Sequence, residues 1–350
     1  MILPGSYLLT ILLLVLGMIC WGSWANTFKS TGTRWRFELY YFDFVLGAVL
    51  ATLIAALTLG SLGWDGFSFL DDIRNAGKKQ DLYVFLAGAV FNIANMLIMG
   101  SLSISGMSVA FPIGIGVALV VGSVWNYFLQ PGANIMILAF GCAILIAAVI
   151  FNIVAYRNFS MYRQLLAIQQ GKTKSTKKSF AGTAIILALI GGLLMGCYLP
   201  ILELAKDIDV GLGPYSGAFV FALGMFFSTF LYNLFFMNLP VQGQPVDFSE
   251  YFKGHGRVHY LGIAGGVIWA TGMVTSLVAG RAEGAAQAPA ALAYGLTQGG
   301  GLISALWGLV VWREFEGAEA GVRTFMSVML VLFLFGTVLV AIAPLFPTVH

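Results

Sequence analysis

Ten stretches of about twenty apolar residues follow one another along this chain, and little is left between them. They fall near 6–28, 38–60, 82–102, 107–128, 134–156, 182–205, 213–238, 259–280, 287–312 and 323–345. About 20 apolar residues carry a helix across a bilayer core. Lipid offers the backbone no hydrogen bonds, so only helices and closed barrels span it. The reading is an all-α integral membrane protein with ten transmembrane helices. Composition agrees: only 9% of residues are charged, where a soluble domain carries about 25%. The net charge of +3 makes no case for nucleic acid. The expected partners are the lipid bilayer and a small solute, in a monomer or homodimer. The expected location is the inner (plasma) membrane, multi-pass. The opening "MILPGSYLLTILLLVLGMIC" has no basic n-region and no AxA-like cleavage site, so it reads as a retained first helix.

Loop charge orients such a bundle, because Lys and Arg stay on the cytoplasmic side. The loops after the first, fifth, seventh and ninth spans hold thirteen Lys and Arg, and the other side holds five. Both termini are therefore expected outside. The basic 157–181 segment is expected inside, as a linker beside anionic headgroups. Its "GKT" at 171–173 is not a P-loop: Leu166 stands where the motif needs glycine, and no strand precedes it. Cys20, Cys142 and Cys197 lie in apolar runs without a CxxC pair, which gives neither a disulfide framework nor a zinc site.

The two halves of the chain align with each other. "LGMICWGSWANTF" (16–28) matches "IGGLLMGCYLPIL" (190–202) at an offset of 174, pairing Gly17 with Gly191, Gly22 with Gly196 and Trp24 with Tyr198. "LAGAVFNIANM" (86–96) matches "IAGGVIWATGM" (263–273) at 177, and Trp125 pairs with Trp307 at 182. An odd number of crossings separates the paired spans, so the halves are expected as two inverted five-helix repeats. Their bounds are 1–156 and 182–350, with 157–181 between them. Inverted repeats belong to alternating-access carriers, whose site lies near the midplane where the halves meet.

The strings "WGSWANTF", "YFDFVLGA", "NIANM", "GMSVAFPIGIGVALVVGSVWNYFL" and "YGLTQGGGLISALWGLVVWREF" span most of the chain. They resemble the drug/metabolite transporter superfamily, and within it the ureide permeases and the bacterial glucose/ribose and rhamnose porters. The resemblance implies proton-coupled secondary transport of a small polar solute. It places Asp43 at the acidic position that follows the helix-two Tyr of ureide permeases. It also places Gln298, Ser304 and Trp307 on their helix-nine pattern. The chain departs from the plant members in lacking a complete P-loop-like central motif and in having glycines at 299–301.

Polar residues inside the spans are the candidate machinery. Asp43 interrupts an apolar run, where a carboxylate at a helix centre costs about 2.5–3.5 kcal/mol on insertion scales. It reads either as a protonatable coupling site or as an interfacial acid favoured by its helix N-terminus. Its repeat mate is Gly217, so the role would belong to one half. Asn92 and Asn95 share a face of the third span and read as solute-binding amides or as interhelical hydrogen bonds. Trp269 stands opposite Asn92 in the repeat. Gln298 precedes three glycines, which suit either a mobile element at a site or close helix packing. Trp21 is a candidate stacking surface, whereas Trp24, nearer the helix end, reads as an interfacial anchor. Asn26, Asn126, Asn152 and Asn233 are weaker candidates. Glu203, beside Lys206, Asp207 and Asp209, reads as interfacial. His255 and His259 read as residues of a solvated loop between glycines, and His350 as terminal.

No Lys or Arg lies in mid-span, which favours a neutral solute over a phosphate or carboxylate. No catalytic cluster or metal set points to an enzyme, and no cofactor is expected beyond a coupling proton or sodium ion. The function read from the chain is import of a small neutral polar solute, a sugar first and a ureide or nucleobase second. Superfamily relatives that export apolar cations or metabolites supply the alternative.

Overall fold

A computed structural model describes residues 1–129, 132–171, 180–205 and 211–346, and among these every regular element is helical. The lysines at 172, 174, 177, 178 and 206, Asp207, Asp209 and His350 lie outside the described residues, as does the side chain of Glu203. Nine of the described helices are long and apolar enough to cross a membrane. The long elements are α1 (Tyr7–Ser23), continued by α2 (Ala25–Ser30), then α3 (Phe37–Leu57). A short α4 (Phe69–Asn75) precedes α5 (Lys78–Ser105), α6 (Met107–Leu129) and α7 (Ile135–Gln169). The second half has α8 (Ala181–Glu203), α9 (Pro214–Asn238) and α10 (Gly256–Ala279). The short α11 (Ala290–Gln298) and α12 (Gly300–Leu306) precede α13 (Ala320–Ile342).

The expected ninth span, 287–312, is not one continuous helix. It breaks at Gly299 between α11 and α12 and ends in a single π-turn, Trp307–Val311. Three successive glycines lower helix propensity by roughly 1 kcal/mol each, and packing against α1 uses the space they leave. A Cβ on Gly299 would stand 2.5 Å from Met18 Sδ, and one on Gly300 would stand 3.2 Å from Trp21 Cβ. From the α1 side, a Cβ on Gly22 would meet Ile303 Cβ at 2.4 Å and the Gly300 carbonyl at 2.8 Å. The same contact occurs between α8 and α6: a Cβ on Gly196 would meet Val121 Cβ at 2.6 Å and the Ala118 carbonyl at 3.1 Å.

Two other boundaries differ from expectation. α7 runs thirteen residues past 156, into the segment read as linker. Phe159 is buried there and stacks on Phe315 at 4.8 Å, so the extra turns have a core to cover. Gly171, at φ +67°, follows the helix end in the left-handed conformation glycine adopts most easily. α10 begins at Gly256, so His259 lies in its first turn rather than in a loop. Tertiary contacts of that turn, described below, offset the weak propensity of the glycines.

The backbone carbonyl that a mid-helix proline frees is satisfied in α6. Pro112 inside α6 has no N–H to give the carbonyl four residues back. That carbonyl belongs to Ser108, and the Asn152 amide donates to it from α7 at 2.9 Å. In lipid an unpaired carbonyl costs several kcal/mol, which gives fully buried Asn152 a structural role. The helices pack as α5 against α8 and α9, and as α10 against α1 and α3; α7 lies along α13, and α6 and α12 each touch the other and flank α8 and α1 respectively.

Candidate functional site

A narrow cleft lies inside this bundle, with about 80 Å³ of space open to water. Its walls come from α1, α5, α6, α8, α10 and the α11–α12 break. Trp21, Asn95, Trp269 and Gln298 all lie on it, so four of the five residues singled out for solute binding meet in one cleft. Aromatic rings dominate the lining. Trp269 packs against Phe91 at 5.2 Å, and Phe91 meets Tyr198 edge-on at 5.3 Å.

Trp24 is also part of this wall. It is 2% exposed and packs against Phe44 at 4.7 Å and Phe111 at 5.9 Å. The interfacial reading fails because the helix does not end near Trp24: α1 turns there and continues as α2 to Ser30.

Polar groups on the wall are few and of two kinds. The Trp21 indole N–H is buried and has no hydrogen-bond partner. It packs against Gly272, where a Cβ would come within 2.7 Å of that nitrogen. A lone buried donor costs roughly 1–3 kcal/mol. Asn95 is fixed instead: its amide donates to the Tyr41 hydroxyl at 3.0 Å.

Asn92 lies behind the wall. Its carbonyl accepts from Tyr41 at 2.9 Å, and its amide donates to the Met225 carbonyl and the hydroxyls of Ser228 and Thr229 at 2.8–2.9 Å. It ties α5 to α9 and, through Tyr41, holds Asn95 in place. Tyr41 itself, fully buried, was not singled out from sequence. Nothing local distinguishes it from the other aromatics of its string.

Asp43 is separate from the cleft. It lies six residues into α3 and is 2% exposed. Its Oδ1 accepts from the Tyr251 hydroxyl at 2.5 Å, and its Oδ2 lies 2.8 Å from His259 Nδ1. Tyr251 sits on a 3₁₀ turn, Phe248–Lys253, and its ring meets His259 edge-on at 4.7 Å. Burial, then the hydrogen bond to Asp43 and its charge, raise the Tyr251 phenol above its usual range. It therefore stays protonated and donates. Gly262 lets the α10 backbone press against this carboxylate, since a Cβ there would stand 2.4 Å from Asp43 Cβ.

A second carboxylate cluster lies at the same end of the bundle. Glu314 accepts from the backbone N–H groups of Met107 and Ser108 at 2.8 Å, from the Ser108 hydroxyl, and pairs with Lys29. An acid at the N-terminus of α6 is favoured by the helix dipole. Gly106, at φ +91°, and Gly308 leave room for it. Arg313, at φ +48°, is held in the left-handed region by the turn that aims Glu314 inward. Sequence reading passed over Glu314, because nothing in "WREFEG" says that Lys29 lies nearby.

Comparison with known proteins follows these features. The ureide permease family model matches residues 40–185, which include Asp43, Asn92 and Asn95. Ureide permease 1 of Arabidopsis thaliana is 23% identical over 371 residues, covering 92% of this chain and 93% of that protein. Ureide permease 2 of the same plant is 22% identical over 378 residues, with 92% and 93% covered. Ureide permease 4 is 23% identical over 384 residues, with 91% and 93% covered. These relatives are permeases, transporters rather than enzymes. This multi-pass chain is similar to ureide permeases over nearly its whole length.

Proposed function

We propose that the chain is a secondary transporter of a small, neutral, polar solute, of the ureide permease kind, with Asp43 as its proton-coupling group. The observation that carries the reading is the central cleft: aromatic faces, an unpartnered indole N–H, two amides and no charge. Stacking walls with a few hydrogen-bonding groups suit a planar, amide-bearing molecule. Similarity to the ureide permeases moves ureides ahead of the sugars that sequence reading put first. The absence of any cation on the wall argues against anionic solutes.

Alternating access between two inverted halves, 1–156 and 182–350, is part of the proposal. It is supported by paired contacts. Gly22 with Ile303 and the Gly300 carbonyl corresponds, at offsets of 174 and 182, to Gly196 with Val121 and the Ala118 carbonyl. The broken segment around Gly299 serves as the tenth crossing, and the end carrying Lys29, Asp43 and Glu314 faces the cytoplasm. Trp21, Asn95, Trp269 and Gln298 contact solute, and Asn92 positions Asn95.

The test is uptake of radiolabelled allantoin, uracil, glucose and ethidium into proteoliposomes under imposed pH and sodium gradients. Saturable uptake of a neutral compound driven by the pH gradient is expected. Movement of ethidium alone would replace this reading with cation export, and a sodium requirement would replace the proton.

A further inference from the structure

Asp43 is buried, so a proton that it carries needs a route to water. The two groups touching the carboxylate differ in what they can do. Tyr251 donates its O–H and holds that proton firmly. His259 presents a ring nitrogen to Oδ2, and its side chain is 23% exposed. Imidazole is the side chain suited to accept on one nitrogen and release from the other near neutral pH.

The far nitrogen packs against Gly254. His259 Nε2 lies beside Gly254, where a Cβ would stand 2.6 Å from it and 2.5 Å from Trp35 Cη2. Gly254 has φ −62°, so its backbone conformation does not require glycine. Space does. Trp35 bounds the ring on its edge at 5.4 Å and also lines a surface cleft with Arg34, Arg36, Glu250 and Lys253.

Several other charged groups at this end are paired. Arg36 bonds Glu38, Lys253 bonds Glu250, and Lys29 on α2 bonds Glu314. His255 caps α10 and Arg257 follows it on the same helix.

We propose that His259 is the proton relay between Asp43 and water at this end of the bundle, with Gly254 leaving the space that its ring occupies. This rests on reading Asp43 as the coupling carboxylate. Neutral His259, with its lone pair on Nδ1, takes the proton from the Asp43 carboxyl. The resulting imidazolium and carboxylate form an ion pair. The imidazolium then gives its Nε2 proton to water; the ring next turns its Nδ1–H to water, gives up that proton and takes one on Nε2, which restores the first tautomer. One proton leaves Asp43 and one reaches the solvent.

The experiment measures allantoin-driven proton flux in proteoliposomes for wild type, Asp43→Asn, His259→Ala and Gly254→Val. Each is run with and without added imidazole, beside allantoin counterflow, which needs no net proton movement. For His259→Ala we expect at least a tenfold loss of proton flux, preserved counterflow and recovery with imidazole. For Gly254→Val we expect a smaller loss without imidazole rescue. If Asp43→Asn is inactive in proton flux while His259→Ala runs at the wild-type rate, the relay is wrong and the coupling reading stands. If Asp43→Asn itself still moves protons, the coupling reading fails. Loss of counterflow in His259→Ala with no imidazole rescue makes His259 structural and also overturns the relay.

Discussion

The two ends of this bundle are held together by different chemistry. At the end with more basic loops, side chains bind side chains: Lys29 pairs with Glu314, Arg36 with Glu38, and the Asp43 carboxyl meets His259 and Tyr251. At the other end, most contacts run to backbone groups. The Met1 amino group donates to the Asp65 carbonyl, Tyr215 to that of Ile2, Arg281 to that of Leu212, and Thr10 to that of Ala286. Asp72 accepts from the Gly213 N–H. A charged pair can be broken by one proton, whereas a backbone carbonyl stays an acceptor across the physiological range. The difference teaches where protonation can act on the structure: at the end that holds Asp43.

The largest stability effect is expected at Glu314. Glu314→Gln removes the charge that serves Lys29 and two α6 N–H groups, and should cost about 1–3 kcal/mol. Thermal unfolding in detergent would read it, and pairing it with Lys29→Met in a double-mutant cycle would separate the ion pair from the cap. In the cleft between the two ends, Trp21→Phe keeps the ring and deletes the unpartnered N–H. We expect roughly fivefold weaker half-saturation by allantoin, which is about 1 kcal/mol; an unchanged value would mean that the indole meets no solute. The smallest effect belongs to the other end. Asp72→Asn keeps an acceptor for the Gly213 N–H and should cost less than about 1 kcal/mol. If it destabilises the protein as much as Glu314→Gln, the contrast between the ends is wrong.

Helix existence was legible in the sequence because a span must be apolar for its whole length, and hydropathy reads length well. What hydropathy cannot read is tertiary cover. α7 outran its apolar stretch because Phe159 found Phe315, and α10 started early because His259 found Asp43. The broken ninth span was foreshadowed by Gly299, Gly300 and Gly301. The sequence left open whether those glycines meant a site or close packing; α1 presses on Gly299 and Gly300, and Gly300 and Gly301 line the cleft. Trp21, Asn95 and Gln298 lie deep in their spans, Trp269 stands opposite Asn92 in the repeat, and all four line the cleft. Asn92 has the same depth but faces α9. Tyr251, His259 and Glu314 received no role from sequence for a common reason: each lies outside or at the very start of an apolar run and meets a partner more than two hundred positions away.

The most direct measurement places a pH dye inside proteoliposomes and adds allantoin outside, with wild type and Asp43→Asn side by side. The account predicts an acid shift with wild type and none with Asp43→Asn, while both exchange radiolabelled allantoin across the membrane. An equal acid shift from both proteins would contradict it, leaving Asp43 as a structural anchor for Tyr251 and His259.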